Sequence, residues 1–172
     1  RQGAGTRGRL NLDIRHEIAA LRPARVLFAA VALLRTDAIV TGIVIVVHAP
    51  LGDAMHELAS HVLGGVVADS LAVHDIQPED TPEVQAPAVL QDILRVDRGE
   101  GVLVLTDLIG ATPANISKRA VADAQAQGIQ CCVLAGLNTP MLLRALTYRN
   151  LSLAETREKA LAGGVQGVLR VD

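Results

Sequence analysis

The stretch VVHAPLGDAM places His48 where five consecutive β-branched residues, Ile43 to Val47, give way to Ala-Pro-Leu-Gly. A second apolar run, VLVLT, ends in the same way on Asp107, and GATPAN follows it shortly after. A histidine ring titrates near ~6.5, so around neutral pH it offers a lone pair and serves as a nucleophile without a metal. Thr112 reads as a helix N-cap and Pro113 as the first helical residue, which makes the free N–H groups of that helix an anion site. Each feature alone has a plainer reading. A lone histidine at a strand end is commonly a boundary residue, an aspartate there a turn or cap residue, and Thr-Pro an ordinary helix start. Their coincidence at equivalent strand ends is what points to chemistry.

The other titratable residues offer less. His56 and His61 are five apart on a helical stretch, a spacing that puts neither i+3 nor i+4 partners together, so no metal pair is expected. His74 ends the expected second strand and reads as a surface histidine. Cys131 and Cys132, the chain's two cysteines, are adjacent in the apolar run CCVLAG and read as reduced, buried thiols rather than a bridge or a metal pair. Asn138, Thr139 and Pro140 read as an N-cap and first turn.

The elements that must position these residues alternate along the chain. Gly42–Val47, with no polar interruption, reads as a central parallel strand buried on both faces. Apolar positions from Pro50 to Leu63 form a helical stripe that Gly64-Gly65 ends. DSLAVHD, around Ser70–His74, reads as a second strand and IQPEDTPEVQAP as a loop, with Ala88 to Val96 helical. Val102–Leu105 is a third strand, Pro113 to Gln127 a helix stopped by Gly128, CCVLAG a fourth strand, and NTPMLLRAL and LAETREKALAGG two more helices. VLRV, after the Gly163-Gly164 break, reads as a last strand. The βαβ alternation predicts an α/β fold in three layers, a parallel sheet of order 2-1-3-4 with helices on both faces. In such a sheet ligands gather at the carboxyl ends of the strands where the order reverses, and His48 and Asp107 end the two neighbours there.

Composition excludes several function classes. A chain of 172 residues with 50% hydrophobic and 20% charged residues is expected to form one globular domain. Aromatic residues make up 1% and the net charge is −2, which argues against nucleic-acid binding. Residues 1–40 carry seven arginines and three acidic residues, whereas 41–172 are acidic. With an apolar run of only nine residues, Val26 to Leu34, the first part reads as a leader or non-native extension outside the fold, neither a bilayer span nor an export signal. The domain is expected over 41–172. No GxGxxG or GxxxxGK[ST] pattern occurs, which counts against a nucleotide-binding protein.

VVHAPLGDAM, then VLVLTDLIGATPAN, then AGLNTPMLLRAL, in that order, resemble the mannose-type EIIA component of the bacterial phosphoenolpyruvate-dependent sugar phosphotransferase system (PTS). The resemblance covers about residues 41–172. It implies that His48 takes a phosphoryl group from the carrier HPr and passes it to an EIIB partner, and that Asp107 orients the histidine. The family's turn falls on Gly110, Ala111 and Thr112, which would bind the phosphoryl group, while Ala49 and Asn138 fall beside the site in supporting places. Two positions depart from the family pattern, Ala49 and Ala111, each carrying a methyl group where glycine is usual. The dihydroxyacetone-kinase phosphocarrier subunit shares the fold, but GATPAN fits the mannose-type turn better. The resemblance also implies a cytoplasmic homodimer without cofactor or metal, which exchanges its C-terminal edge strand between subunits and meets the membrane only through an EIIC/EIID permease. A regulatory module, whose phosphorylation state controls another protein, is the alternative.

Overall fold

The computed structural model of the chain describes residues 39–64 and 71–172. Residues 1–38, and with them nearly all of the expected leader, lie outside the described residues, as do Gly65 and Ser70. Four parallel strands, β1 (Gly42–His48), β2 (Leu71–Ile76), β3 (Val102–Thr106) and β4 (Cys131–Ala135), form one sheet of order β2-β1-β3-β4. Among the described residues five helices connect and follow them: α1 (Leu51–Leu63), α2 (Pro82–Val96), α3 (Thr112–Ala126), α4 (Thr139–Thr147) and α5 (Leu153–Gln166). The expected three-layer parallel sheet is therefore present.

The unbroken Val/Ile run of β1 is explained by its place. Val44 and Val46 pack with Val89 and Ile93 of α2 and Ile116 and Ala120 of α3, whereas Ile43, Ile45 and Val47 pack with Ala59 of α1, Leu142 of α4 and Ala160 of α5. Both faces are apolar because both are covered, and each fully buried Val or Ile stabilises by about 1.5–3 kcal/mol. Gly42 starts the strand because a Cβ there would lie 2.5 Å from the Val96 carbonyl oxygen at the end of α2.

Three expectations are corrected. The loop expected over IQPEDTPEVQAP shrinks to residues 77–81, since α2 begins at Pro82 rather than at Ala88. Pro82 sits in the first turn, where no N–H is needed, and Ala86, Val89, Ile93 and Val96 then present a buried stripe strong enough to carry the helix through Pro87. Gly163-Gly164 does not break α5, which runs on to Gln166; both glycines are buried where α5 closes on α4, and a Cβ on Gly163 would meet Arg144 Cγ at 2.4 Å. The tail after α5, read as VLRV strand, pairs with no strand among the described residues, and Val168, Leu169 and Val171 are 76–93% exposed.

Candidate functional site

β1 and β3 are hydrogen-bonded neighbours in register from Gly42↔Val102 to Val46↔Thr106, so the residues that follow emerge side by side at their carboxyl ends. β1 then turns toward β2 on one side while β3 leads on to β4 on the other, and the crevice opens between them. His48 and Asp107 meet there. The His48 main-chain N–H donates to Asp107 Oδ2 at 3.0 Å, and ring Nδ1 lies 2.8 Å from the same oxygen. A carboxylate only accepts, so Nδ1 carries the proton and Nε2 holds the lone pair. The His48 side chain is 49% exposed against 16% for Asp107, and Nε2 has no partner among the described residues.

Asp107 is fixed in turn. Its Oδ1 accepts the Leu108 N–H at 2.7 Å, and its own carbonyl accepts the Gly136 N–H at 2.9 Å from the loop after β4. Burial pushes the carboxyl up, but the bonds from the His48 N–H, the His48 ring and the Leu108 N–H, together with the charge of a protonated ring, outweigh it. The carboxyl therefore sits below its ordinary value and is ionised at neutral pH. One residue earlier, the Thr106 hydroxyl is buried with no hydrogen-bond partner among the described residues, a polar cost of about 1–3 kcal/mol.

The turn from Asp107 to α3 is exposed at Leu108, Ile109 and Gly110. Gly110 adopts φ +85°, a left-handed conformation that glycine takes without strain, and this swings the chain into the helix. Ala111, not Thr112, is the N-cap: it is extended (φ −79°, ψ 173°) and has no side-chain cap bond. Thr112 is the first helical residue, followed by Pro113, and this one-residue shift leaves the Thr112 hydroxyl free of capping. The first bond into the helix is Asn115 N–H to the Ala111 carbonyl at 3.1 Å, so the N–H groups of Thr112 and Ala114 lie ahead of it and remain available to an anion.

Asn138 is the N-cap of α4, as expected, accepting the Met141 N–H at 3.0 Å. Its amide also donates to the Gly164 carbonyl at 3.1 Å, which ties the loop after β4 to α5. It makes no bond to His48. Ala49 follows His48 and donates its N–H to the Ile76 carbonyl at 3.1 Å, and the Ala49–Pro50 bond is cis.

His74 is not the surface histidine expected: it is 16% exposed, and its Nε2 lies 2.6 Å from Asp92 Oδ2, while Arg95 holds the other oxygen of Asp92. Among the described residues no three His, Cys, Asp or Glu side chains gather as a metal site. Both cysteines are free, and burial pushes the Cys131 thiol up to about 11, with Cys132 and Asp97 adding to it, so it stays protonated and inert. Asp75 was given no role by sequence reasoning, yet it binds two N–H groups at the start of α1. Its partners are more than twenty residues away, and no local spacing signals such a bond.

Comparison with known proteins agrees with this architecture. The fold is similar to the phosphotransferase-system component EIIA from Streptococcus agalactiae, with TM-score 0.64, 23% identity, and coverage of 76% of this chain and 96% of that one. It is similar also to the mannose/sorbose-specific IIA subunit from Enterococcus faecalis, with TM-score 0.66, 21% identity, and coverage of 77% and 95%. A third similar structure, described as a sigma-54 interaction domain protein from Enterococcus faecalis, has TM-score 0.63 at 13% identity and coverage of 76% and 95%. At these identities the likeness speaks for the fold alone. The family model EIIA-man, described as the PTS system fructose IIA component, matches residues 42–161, from the first residue of β1 into α5. That span holds every strand of the sheet, and on it the chain belongs to the EIIA-man family of phosphotransferase-system IIA components.

Proposed function

We propose that this chain is a phosphocarrier that accepts a phosphoryl group from phospho-HPr on His48 Nε2 and hands it to an EIIB partner. The observation that carries the reading is the 2.8 Å pair between His48 Nδ1 and Asp107 Oδ2, at the carboxyl ends of adjacent strands. Asp107 holds the Nδ1 proton, so Nε2 faces the incoming phosphorus. As the Nε2–P bond forms, the donor's N–P bond breaks and its electron pair stays with the donor nitrogen. The ring gains positive charge, which the ionised Asp107 offsets without taking the proton. The phosphoryl oxygens carry charge in a loose transition state, and the N–H groups of Gly110, Thr112 and Ala114, in the turn around Ala111 and at the α3 terminus, supply fixed donors for them. Return of the phosphoryl to EIIB reverses these steps.

The chain acts on the cytoplasmic side in this reading and reaches the membrane only through an EIIC/EIID permease; among the described residues no helix is long and apolar enough to cross a membrane. A regulatory reading, in which the phosphorylation state controls another protein, uses the same phosphohistidine. Incubation with phosphoenolpyruvate, Enzyme I and HPr is expected to give the chain one acid-labile phosphate, read by mass spectrometry, and His48→Ala is expected to abolish it with the fold intact. Uptake by the alanine variant overturns His48 as the acceptor. A phosphorylated chain that passes its group to no EIIB partner decides for the regulatory reading.

A further inference from the structure

We propose that Asp75 is a positioning residue for His48, acting from the β2 side of the crevice through the first turn of α1; this rests on the phosphocarrier reading above. Between His48 and α1 stand only Ala49 and Pro50, so wherever α1 begins, the end of β1 must follow. Pro50, the N-cap of α1, has no side-chain cap bond. The capping comes instead from across the sheet. Asp75 Oδ1 accepts the Gly52 N–H at 2.7 Å and Oδ2 accepts the Asp53 N–H at 3.0 Å, a bidentate cap from a residue whose strand position is opposite Val47. The next residue, Ile76, lies opposite His48 and accepts the Ala49 N–H.

Gly52 is the second mark of this arrangement. It is buried, and a Cβ there would stand 2.5 Å from Val73 Cγ1 and 2.8 Å from Asp75 Oδ1. Neither neighbour can give way easily, because Val73 is β-branched and stiff at χ1 and the Asp75 carboxylate is held by its two bonds. The close approach that lets the carboxylate reach two consecutive N–H groups thus depends on glycine. Two such bonds fix the rotation and depth of α1, and the short His48–Ala49–Pro50 segment is held between Asp107 on one side and Asp75 with Ile76 on the other.

A consequence concerns the anion. Two helices, α1 and α3, begin at this crevice, and a helix N-terminus attracts phosphoryl oxygens. At α1 the Asp75 carboxylate already occupies the Gly52 and Asp53 N–H groups and adds negative charge. At α3 the Thr112 and Ala114 N–H groups remain available. Asp75 therefore disfavours an anion at the α1 terminus and leaves the phosphoryl group to the turn beside Asp107.

The test uses the full chain with Asp75→Ala, Asp75→Asn and Gly52→Ala. Phosphoryl uptake from phospho-HPr is followed by rapid quench, and the His48 ring nitrogens are read by long-range ¹H–¹⁵N NMR, with circular dichroism for the fold. Asp75→Ala and Gly52→Ala are expected to lower kcat roughly 10- to 100-fold, the range for a reacting group displaced by about 1 Å, with KM for phospho-HPr little changed. The His48 ring is expected to pass from a single Nδ1–H tautomer to a mixture. Asp75→Asn, which keeps one acceptor oxygen for Gly52, is expected to recover much of the rate and of the ring signature. An unchanged kcat in Asp75→Ala, or a lowered one with an unchanged ring spectrum in all variants, overturns the proposal. Should the unsubstituted chain take up no phosphoryl group, the phosphocarrier reading fails, while the ring spectra still decide whether Asp75 positions His48.

Discussion

Asp107 accepts three hydrogen bonds through its two oxygens, from the His48 main chain, the His48 ring and Leu108, so one side chain sets both where His48 sits and which nitrogen it presents. Asp107→Asn preserves the size but brings an NH₂ group that competes to face Nδ1, and it removes the charge that offsets the imidazolium. Transfer is expected to slow by orders of magnitude, up to roughly 10⁴-fold, with little loss of fold; an unchanged rate in a quench-flow assay removes Asp107 from the mechanism. The same group gives a pH dependence. Its folded carboxyl lies below the unfolded value of 3.8, so its stabilisation is complete above about pH 3.8 and is lost as pH falls through the lower folded value. Melting temperatures of the unsubstituted protein and Asp107→Asn are therefore expected to converge in strong acid and to stay apart at neutral pH. A constant difference across the acid range contradicts this. Both residues were legible as strand-end side chains from two apolar runs that each end on a polar group. Their pairing follows from the expected strand order and the family resemblance, and the structure adds the 2.8 Å distance and the second bond from the His48 main chain.

At the scale of elements, α2 shows where local signals mislead. IQPEDTPEVQAP has the composition of a loop, with prolines and acidic residues throughout, yet its second half is the first part of a helix. Pro87 lies inside that helix, is exposed, and cannot donate to the Glu83 carbonyl one turn back. Pro87→Ala is expected to restore that bond and to raise stability by about 1–3 kcal/mol, seen as a melting temperature several degrees higher. A lowered melting temperature means that the proline stiffens the unfolded chain by more than it costs the helix. Gly163 and Gly164 mislead in the same direction. Glycine pairs signal helix ends because they lack a side chain, and here that same lack allows α5 to close on Arg144 and Met141 of α4. Only the neighbouring helix distinguishes the two uses. α5 begins on a capping box, Ser152 with Glu155, whose pattern is local and readable.

For the whole molecule, the unpaired tail and the open edge of β4 belong together. Val168, Leu169 and Val171 are exposed on a tail that joins no strand among the described residues, and a cavity of about 510 Å³ lined by Ile129, Cys131, Cys132, Leu153 and Arg157 lies beside the β4 edge. We propose that the tail of one chain adds to the β4 edge of a second and makes a homodimer, an exchange that covers apolar surface and a sheet edge together. Light scattering is expected to find the intact chain dimeric at micromolar concentration and a chain ending at Gly167, which keeps all of α5 and its bond to Asn138, monomeric. An intact monomer ends the exchange idea, and two dimers place the interface elsewhere.

The sequence by itself determined the order and the kind of the elements from β1 to α5, because helical and strand periodicity are properties of residues close together in the chain. It likewise determined which residues stand at the ends of β1 and β3, since an apolar run that stops on a polar residue marks the edge of a core. Tertiary structure decided what those ends touch: that Asp107 takes the His48 main chain as well as its ring, that His74 is held by Asp92, and that Asp75 caps a helix more than twenty residues away. These are contacts between segments far apart in the chain. Their energy arises only once the strands have paired and the helices have settled on the sheet, so no short stretch of residues carries a signal for them.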